Sequence, residues 1–145
     1  MGEIASDRSR DMFLSGLYCA ESVLLSIAGE RDIHSDLIPK IATGFCSGQA
    51  RSGGQCGALS GGIMGISLIK GRMSSEDSVE ETYTGVRTLI DGFRERFGAI
   101  NCMELINCDL STDEGQAEFI QKNHLETCAQ FCTGTTELAL NILDS

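Results

Sequence analysis

The chain has 145 residues, of which 41% are hydrophobic and 22% charged, with a single proline. This length and composition are typical of one globular domain over residues 1–145 and exclude a disordered or fibrous protein. Acidic residues outnumber basic ones 21 to 11, giving a net charge of −10. Such a charge excludes nucleic acid and anionic membrane surfaces as partners.

The first ten residues carry charges of both signs and no apolar segment, so they contain no secretory signal. Residues 52–69 form the longest uncharged run, but its glycine and polar residues predict a buried helix with its loop rather than a membrane span. We therefore expect a cytoplasmic location. Seven cysteines in a reducing cytosol favour thiol chemistry or metal binding over a disulfide framework, although cysteine also packs as a small buried hydrophobe.

The first predicted helix runs from Ser6 to Ala28 and ends before Gly29. Cys19 lies on the flank of its apolar stripe, near Gly16, which leaves room for another group to approach. We expect Cys19 to be shielded but reachable. The stripe consists of Phe13, Leu17, Ala20, Leu24 and Ile27.

A short second helix is predicted from Ser35 to Thr43, with Pro39 in its first turn, where a missing N–H costs little. Residues 44–55 are glycine-rich and irregular. They lack the lysine of a P-loop and the preceding strand of a dinucleotide-binding turn. We therefore exclude a phosphate-binding loop at this position.

The third predicted helix runs from Cys56 to Lys70, with Gly57, Gly61 and Gly65 on one face. Each glycine costs about 1 kcal/mol of helix propensity relative to alanine, so a tertiary contact must offset the loss. Close packing of another helix is the first interpretation. Alternatively, Gly57 and Gly61 leave space for a bound cofactor.

The clearest helix begins at Ser74 or Ser75 and ends at Gly98. Its apolar residues keep a spacing of four and three, which is the pattern of a helix packed on one side. This stripe predicts a core or partner surface and no chemistry. It consists of Val79, Tyr83, Val86, Ile90, Phe93 and Phe97.

Three more helices are predicted in the remaining chain. Asn101 with Glu104 resembles a capping pair and places Cys102 in the first turn of a short helix. Ser111 begins the next helix, and the last covers residues 124–143. Because no useful segment alternates apolar and polar residues, we predict an all-α, single-domain bundle of about five to seven helices with a glycine-rich central helix.

Cys56 and Cys102 occupy predicted first-turn positions, where unpaired N–H groups and the helix dipole stabilise a thiolate. We expect these helix ends to outweigh burial and to make both cysteines react faster with alkylating agents than Cys46, Cys108 or Cys132. There is no Cys-x-x-Cys pair, no Gly-x-Ser-x-Gly elbow and no His-Glu-x-x-His motif. Cysteine is therefore the main candidate for chemistry.

On the last helix, His124, Cys128 and Cys132 follow one another at four-residue steps. They could act as metal ligands or as an imidazole–thiol pair. The alternative is that this side is simply the buried face of the helix, with a hydrogen-bonded histidine at its start. The sequence leaves both interpretations open.

Four segments resemble the C_GCAxxG_C_C family of redox-active proteins, which is named for its spaced cysteines. The order of the segments matches the family from about Gly16 to Leu143. The resemblance is carried by Gly16-Leu17-Tyr18-Cys19-Ala20-Glu21-Ser22-Val23, by Gly54-Gln55-Cys56-Gly57-Ala58-Leu59-Ser60-Gly61, by Phe93-Arg94-Glu95-Arg96-Phe97-Gly98 with Cys102-Met103-Glu104-Leu105, and by His124 to Cys128 before an apolar helix.

The resemblance implies a helical domain with four shared cysteines, here Cys19, Cys56, Cys102 and Cys128. A related domain accompanies haem in a split-Soret cytochrome, where an iron–sulfur site has been suspected. This implication keeps metal binding as an alternative. The other three cysteines, Cys46, Cys108 and Cys132, have no counterpart in that pattern.

Three functional hypotheses follow. In the first, the protein carries out dithiol–disulfide exchange with an unidentified redox partner. The thiolates of Cys56 and Cys102 attack the partner's disulfide, and Cys19 and Cys128 resolve the mixed disulfide that forms. In the second, the four thiolates bind an iron–sulfur cluster or zinc for electron transfer or sensing. In the third, the chain is a helical interaction protein, a homodimer that uses its glycine face. The first two require the four sulfurs to lie together.

Overall fold

The computed structural model describes residues 2–145 and is all-α, as the sequence predicts. Its eight helices exceed the predicted range of five to seven. Within the described chain, extended pairing is limited to an isolated antiparallel bridge between Gln55 and Asn101. The elements are α1 (Gly2–Leu14), α2 (Cys19–Glu30), the 3₁₀ helix η1 (Lys40–Phe45), α3 (Cys46–Arg51), α4 (Gly57–Lys70), α5 (Glu80–Phe97), α6 (Cys102–Ile106), α7 (Asp113–Gln121) and α8 (His124–Asp144).

The core forms around α8, which packs against α1, α2, α4 and α5. Helix α4 contacts α2 on one side and α5 on the other. Cys132, Thr135 and Thr136 in the middle of α8 have no exposed surface, because helices cover that part of α8. Each helix between residues 2 and 145 is too short or too polar to span a bilayer.

The helix predicted from Ser6 to Ala28 is in fact two helices, α1 and α2. Gly16 has a φ of 124°, a conformation that only glycine adopts easily, and it turns the chain between them. The N–H of Tyr18 then donates to the side chain of Glu21 at 2.9 Å, which caps the new helix. Cys19 is therefore the first residue of α2 rather than a position within a longer helix.

The predicted helix at 35–43 is also corrected. Residues 36–39 form turns, and the 3₁₀ helix η1 begins after Pro39, which cannot donate a backbone N–H. Four residues of α3 that follow, Ser47–Ala50, have left-handed dihedrals with φ between 58° and 67°. Left-handed backbone costs roughly 1–2 kcal/mol for each residue that has a side chain. This segment is strained, and its neighbours must hold it in place.

The glycine face of α4 packs against α2. A Cβ at Gly61 would lie 2.7 Å from the carbonyl oxygen of Ala20 and 3.0 Å from Cβ of Val23. A Cβ at Gly65 would lie 2.6 Å from Ile27. The expected space for a cofactor beside Gly61 is therefore filled by α2, and the glycine face makes a contact within the chain rather than the expected dimer contact.

The clearest predicted helix is confirmed as α5, but it begins at Glu80 rather than at Ser74 or Ser75. In the segment before α5, serine hydroxyls accept hydrogen bonds in place of the helical carbonyls. The Ser74 hydroxyl accepts from the N–H of Glu76 at 3.3 Å, and the Ser78 hydroxyl accepts from the N–H of Glu80 at 3.1 Å. Its C-terminal glycine has a φ of 91°, as a helix-ending glycine does. The core residues of α5 are Leu89 and Phe93, whereas Tyr83 is 53% exposed.

The last three helices follow the sequence prediction closely. Helix α6 begins at Cys102 after Asn101, and α8 ends one residue beyond the predicted Leu143. Helix α7 is capped by Thr112 rather than by Ser111, because the Thr112 hydroxyl accepts from the N–H of Gly115 at 2.9 Å. These helix ends can be predicted from the sequence because capping is a local interaction.

Candidate functional site

Four cysteines from four distant segments line one cavity of about 300 Å³. They are contributed by the first residue of α2, the residue before α4, the first residue of α6 and the second turn of α8. This volume lies at the lower end of the range for small-molecule sites. The four are Cys19, Cys56, Cys102 and Cys128, the same set that matched the family pattern.

The rest of the cavity lining is mainly apolar. The helix α7, the α6–α7 loop and α8 contribute aromatic and aliphatic side chains, and Arg51 contributes a guanidinium. Tyr18, Ile120 and Leu125 are 49%, 78% and 41% exposed, so they mark the open side of the cavity. The apolar residues include Phe13, Leu105, Ile106, Leu110, Phe119 and Phe131.

A short backbone pairing brings Cys56 and Cys102 to the same wall. The N–H of Cys56 donates to the carbonyl of Ile100 at 2.7 Å, and the N–H of Cys102 donates to the carbonyl of Gly54 at 2.7 Å. These bonds flank the isolated bridge described above. Two segments almost fifty residues apart in sequence are thereby held in fixed register at the cavity.

Two glycines allow the backbone to approach these cysteines. Gly48, with a φ of 67°, packs so closely on Cys102 that a Cβ there would lie 2.5 Å from Cβ and 3.2 Å from Sγ of Cys102. A Cβ at Gly57 would overlap Sγ of Cys19. Gly57 therefore lines the cavity and also lies at the contact between α2 and α4. Neither position can carry a side chain without moving a cysteine.

Burial decides the acidity of the cavity thiols. It raises the pKa of Cys56 to about 12, although the N–H groups of Leu59 and Ala58 at the start of α4 oppose this. Burial likewise raises the pKa of Cys102. The expectation that helix ends outweigh burial is wrong for both residues, because these thiols lie against apolar side chains.

The pKa of Cys128 also responds to its neighbours in the cavity. Burial, followed by repulsion from Cys102, raises its pKa to about 12. Repulsion from Cys128 and Cys102 also contributes to the raised pKa of Cys56, after burial. Repulsion of the same kind links Cys108 to Cys102 and Cys128, and Cys132 to Cys56 and Cys128, so these two cysteines lie close to the cavity cysteines.

Cys19 has a different neighbour, Cys46, which the sequence left open as a core residue or as a member of a second pair of thiols. A hydrogen bond with Cys19 and then burial raise the pKa of the Cys46 thiol. Cys46 is 3% exposed and lies outside the set of residues that line the cavity in the described chain. No motif marks it, because the contact depends on how η1 and α3 pack against α2.

The remaining candidates are not part of the cavity lining. Cys132 is fully buried in α8, and Sγ of Cys108 lies 3.5 Å from the carbonyl of Gly115. His124 is the first residue of α8, and its ring lies 5.7 Å from the ring of Phe119. His124 packs against an aromatic ring, which agrees with the alternative that this side of the helix is simply a packed face.

The cysteines are all free thiols in this structure. Within residues 2–145, no three His, Cys, Asp or Glu side chains are arranged to hold a metal ion.

We expect the alkylation rates of Cys56 and Cys128 to rise about tenfold per pH unit from pH 8 to pH 11. The rate follows the thiolate fraction, which grows about tenfold per pH unit below a pKa of about 12. Short pulses of iodoacetamide followed by mass spectrometry measure the rates. The same protein in denaturant is the control, and its rates should level off near pH 9. A plateau near pH 9 for folded Cys56 would show that the helix N–H groups outweigh burial.

Comparison with known proteins identifies one family. The family model described as "Putative redox-active protein (C_GCAxxG_C_C)" matches residues 17–142. No curated protein and no solved structure is significantly similar to the chain. The matched range contains each of the four cysteines that line the cavity.

Proposed function

The chain belongs to the C_GCAxxG_C_C family, and from that membership we propose that it is a thiol oxidoreductase that carries out dithiol–disulfide exchange. The observation that carries the proposal is the convergence of Cys19, Cys56, Cys102 and Cys128 on one cavity. The four segments are distant in sequence, and backbone hydrogen bonds pair only those of Cys56 and Cys102. A common cavity exposes sulfurs from different segments to the same substrate.

The lining of the cavity defines the class of substrate. Apolar side chains favour an organic molecule, and the 300 Å³ volume limits it to a small one or to the end of a larger group. Arg51 offers a positive charge at the lining, which suits an anionic substituent. We propose a small organic disulfide, or its thiol, as the molecule that exchanges electrons with the protein.

The exchange is a two-electron reaction between sulfurs. One protein thiolate attacks a sulfur of the substrate disulfide R–S–S–R, forms a mixed disulfide and releases RS⁻. A second protein thiolate attacks the protein sulfur of that mixed disulfide and releases the second RS⁻. The protein loses two hydrogens and the substrate gains them as two RSH molecules. The reverse sequence reduces the protein.

To test this function, the reduced protein is prepared without oxygen and treated with oxidised glutathione, and its disulfides are located by mass spectrometry. We expect a reversible intramolecular disulfide that contains at least one cavity cysteine. A variant with serine at all four cavity positions should lose it while keeping its helical circular dichroism. The matched control Cys108→Ser should keep it, because Cys108 lies outside the cavity lining.

Two results would contradict the proposal. One is the absence of any disulfide under these conditions. The other is a brown anaerobic preparation with stoichiometric iron and sulfide, which would support the iron–sulfur alternative. Zinc at one equivalent in elemental analysis would equally favour a metal site.

A further inference from the structure

Cys19 and Cys46 are in contact but differ in their access to the cavity. Cys19 is the first residue of α2 and lines the cavity, whereas Cys46 is 3% exposed and lies behind the lining. The Cys46 thiol donates to the carbonyl of Ala42 at 3.7 Å, and interaction with Cys19 raises the pKa of Cys46. Both side chains are largely buried, but only Cys19 contributes to the cavity lining.

Gly57 holds the two cysteines against one another. A Cβ at this position would overlap Sγ of Cys19 and would lie 3.1 Å from Cα of Cys46. The same Cβ would lie 3.0 Å from the carbonyl oxygen of Phe45. Sγ of Cys19 and the backbone of Cys46 therefore pack on the same glycine, which brings the two segments close together at this point.

We propose that Cys19 and Cys46 are the exchanging pair of this protein, with Cys19 attacking a small organic disulfide in the cavity and Cys46 resolving the mixed disulfide. The proposal rests on the thiol oxidoreductase function above. It replaces the sequence-based assignment, in which Cys56 and Cys102 attack and Cys19 resolves. It also gives a role to a cysteine outside the family's four-cysteine pattern.

The exchange has two steps. The thiolate of Cys19 attacks one sulfur of R–S–S–R, forms Cys19–S–S–R and releases RS⁻, which takes up a proton. Cys46 then loses its proton to the second leaving group as its sulfur attacks Sγ of Cys19. The bond to R breaks, a second RSH leaves and the Cys19–Cys46 disulfide remains. The substrate disulfide is the oxidant, and the two protein thiols are oxidised.

The environment of Cys46 changes in the direction that the second step needs. In the reduced protein, its hydrogen bond with Cys19, then burial, then repulsion from Cys19 raise its pKa. The N–H groups of Glu21 and Ala20 at the start of α2 act in the opposite direction. When Cys19 enters a mixed disulfide, it carries no charge, so its repulsion is lost while the two N–H groups remain. The thiolate of Cys46 is then easier to form.

The experiment uses 2,2′-dithiodipyridine, a small neutral aromatic disulfide whose released thione is measured by absorbance. The full-length reduced protein receives one equivalent, is quenched with acid and is digested with trypsin without reduction. Trypsin separates these two cysteines, since Cys19 lies in peptide 11–31 and Cys46 in peptide 41–51. We expect the two peptides to be linked and two thiones to be released per linked pair.

Two variants separate the two steps. Cys46→Ser and Cys46→Ala should each release one thione per Cys19 and keep the mixed disulfide on peptide 11–31. The apolar alanine variant guards against a folding defect caused by a buried hydroxyl, and circular dichroism checks both. The matched control Cys108→Ser, also a buried cysteine, should behave as the wild type.

The outcomes distinguish this inference from the function on which it rests. A disulfide confined to Cys56, Cys102 and Cys128, with Cys19 and Cys46 still reduced, would overturn the inference and support the thiol oxidoreductase function. Two thiones from the Cys46 variants, with a new disulfide at Cys19, would also overturn it. No disulfide at any cysteine would overturn both.

Discussion

Replacing Gly61 with valine should lower the free energy of unfolding by about 3 kcal/mol, at the upper end of the range for overpacked cores. The reason is that a Cβ at Gly61 already lies 2.7 Å from a backbone oxygen of α2, at Ala20, and backbone cannot move aside as a flexible side chain can. The two helices must separate. Urea denaturation followed by circular dichroism measures the change.

Gly29→Ala is the matched control for this substitution. Gly29 also lies in a helix, α2, but a Cβ there would have nothing within 4 Å. Alanine should leave stability unchanged or raise it by up to about 1 kcal/mol through helix propensity. If Gly61→Val changed the free energy of unfolding as little as this control, the result would contradict the close contact between α2 and α4.

Gly48→Ala should cost about 3 kcal/mol and should also disturb Cys102. Two effects combine here: the left-handed φ of 67° penalises any residue with a Cβ, and that Cβ would lie 2.5 Å from Cβ of Cys102. Relief requires Cys102 to move away from its position beside the 54–56 segment. Denaturation gives the stability, and pulsed alkylation with mass spectrometry gives the reactivity of Cys102, which we expect to rise several-fold.

Gly98→Ala is the control, since it separates backbone strain from crowding. Gly98 has a φ of 91°, but a Cβ there would have nothing within 4 Å. This variant should cost roughly 1–2 kcal/mol and leave the alkylation of Cys102 unchanged. Equal losses for Gly48→Ala and Gly98→Ala, with no change at Cys102, would contradict the packing of Gly48 against the cavity wall.

The thiols fall into two groups with different chemistry. Burial is the main cause of the raised pKa values of Cys56, Cys102 and Cys128, so these thiols stay neutral. Cys19 instead contacts Cys46, and its helix begins at the cavity. Only the second group pairs a sulfur that lines the cavity with one outside the lining. This difference explains why we assign exchange to Cys19 and Cys46 although four cysteines share the cavity.

The sequence by itself determined the features that depend on neighbouring residues. The spacing of apolar residues and the capping signals predict an all-α chain, the end of α5 and the span of α8 within one residue. The same local signals place Cys56 just before α4 and Cys102 at the first residue of α6. The resemblance to the family identifies the four cysteines that line the cavity. Helix caps and periodicity are local, so the sequence reveals them.

Only the tertiary structure decided how the thiols behave. The contact between Cys19 and Cys46 and the convergence of four segments arise from the packing of α2, α4, α6 and α8, which no spacing in the sequence encodes. The acidity of Cys56 has the same origin. Its position at a helix end is visible in the sequence, but its pKa is set by the apolar side chains that distant segments place around it. The cost of burying a charge there exceeds the stabilisation that two N–H groups give to the thiolate.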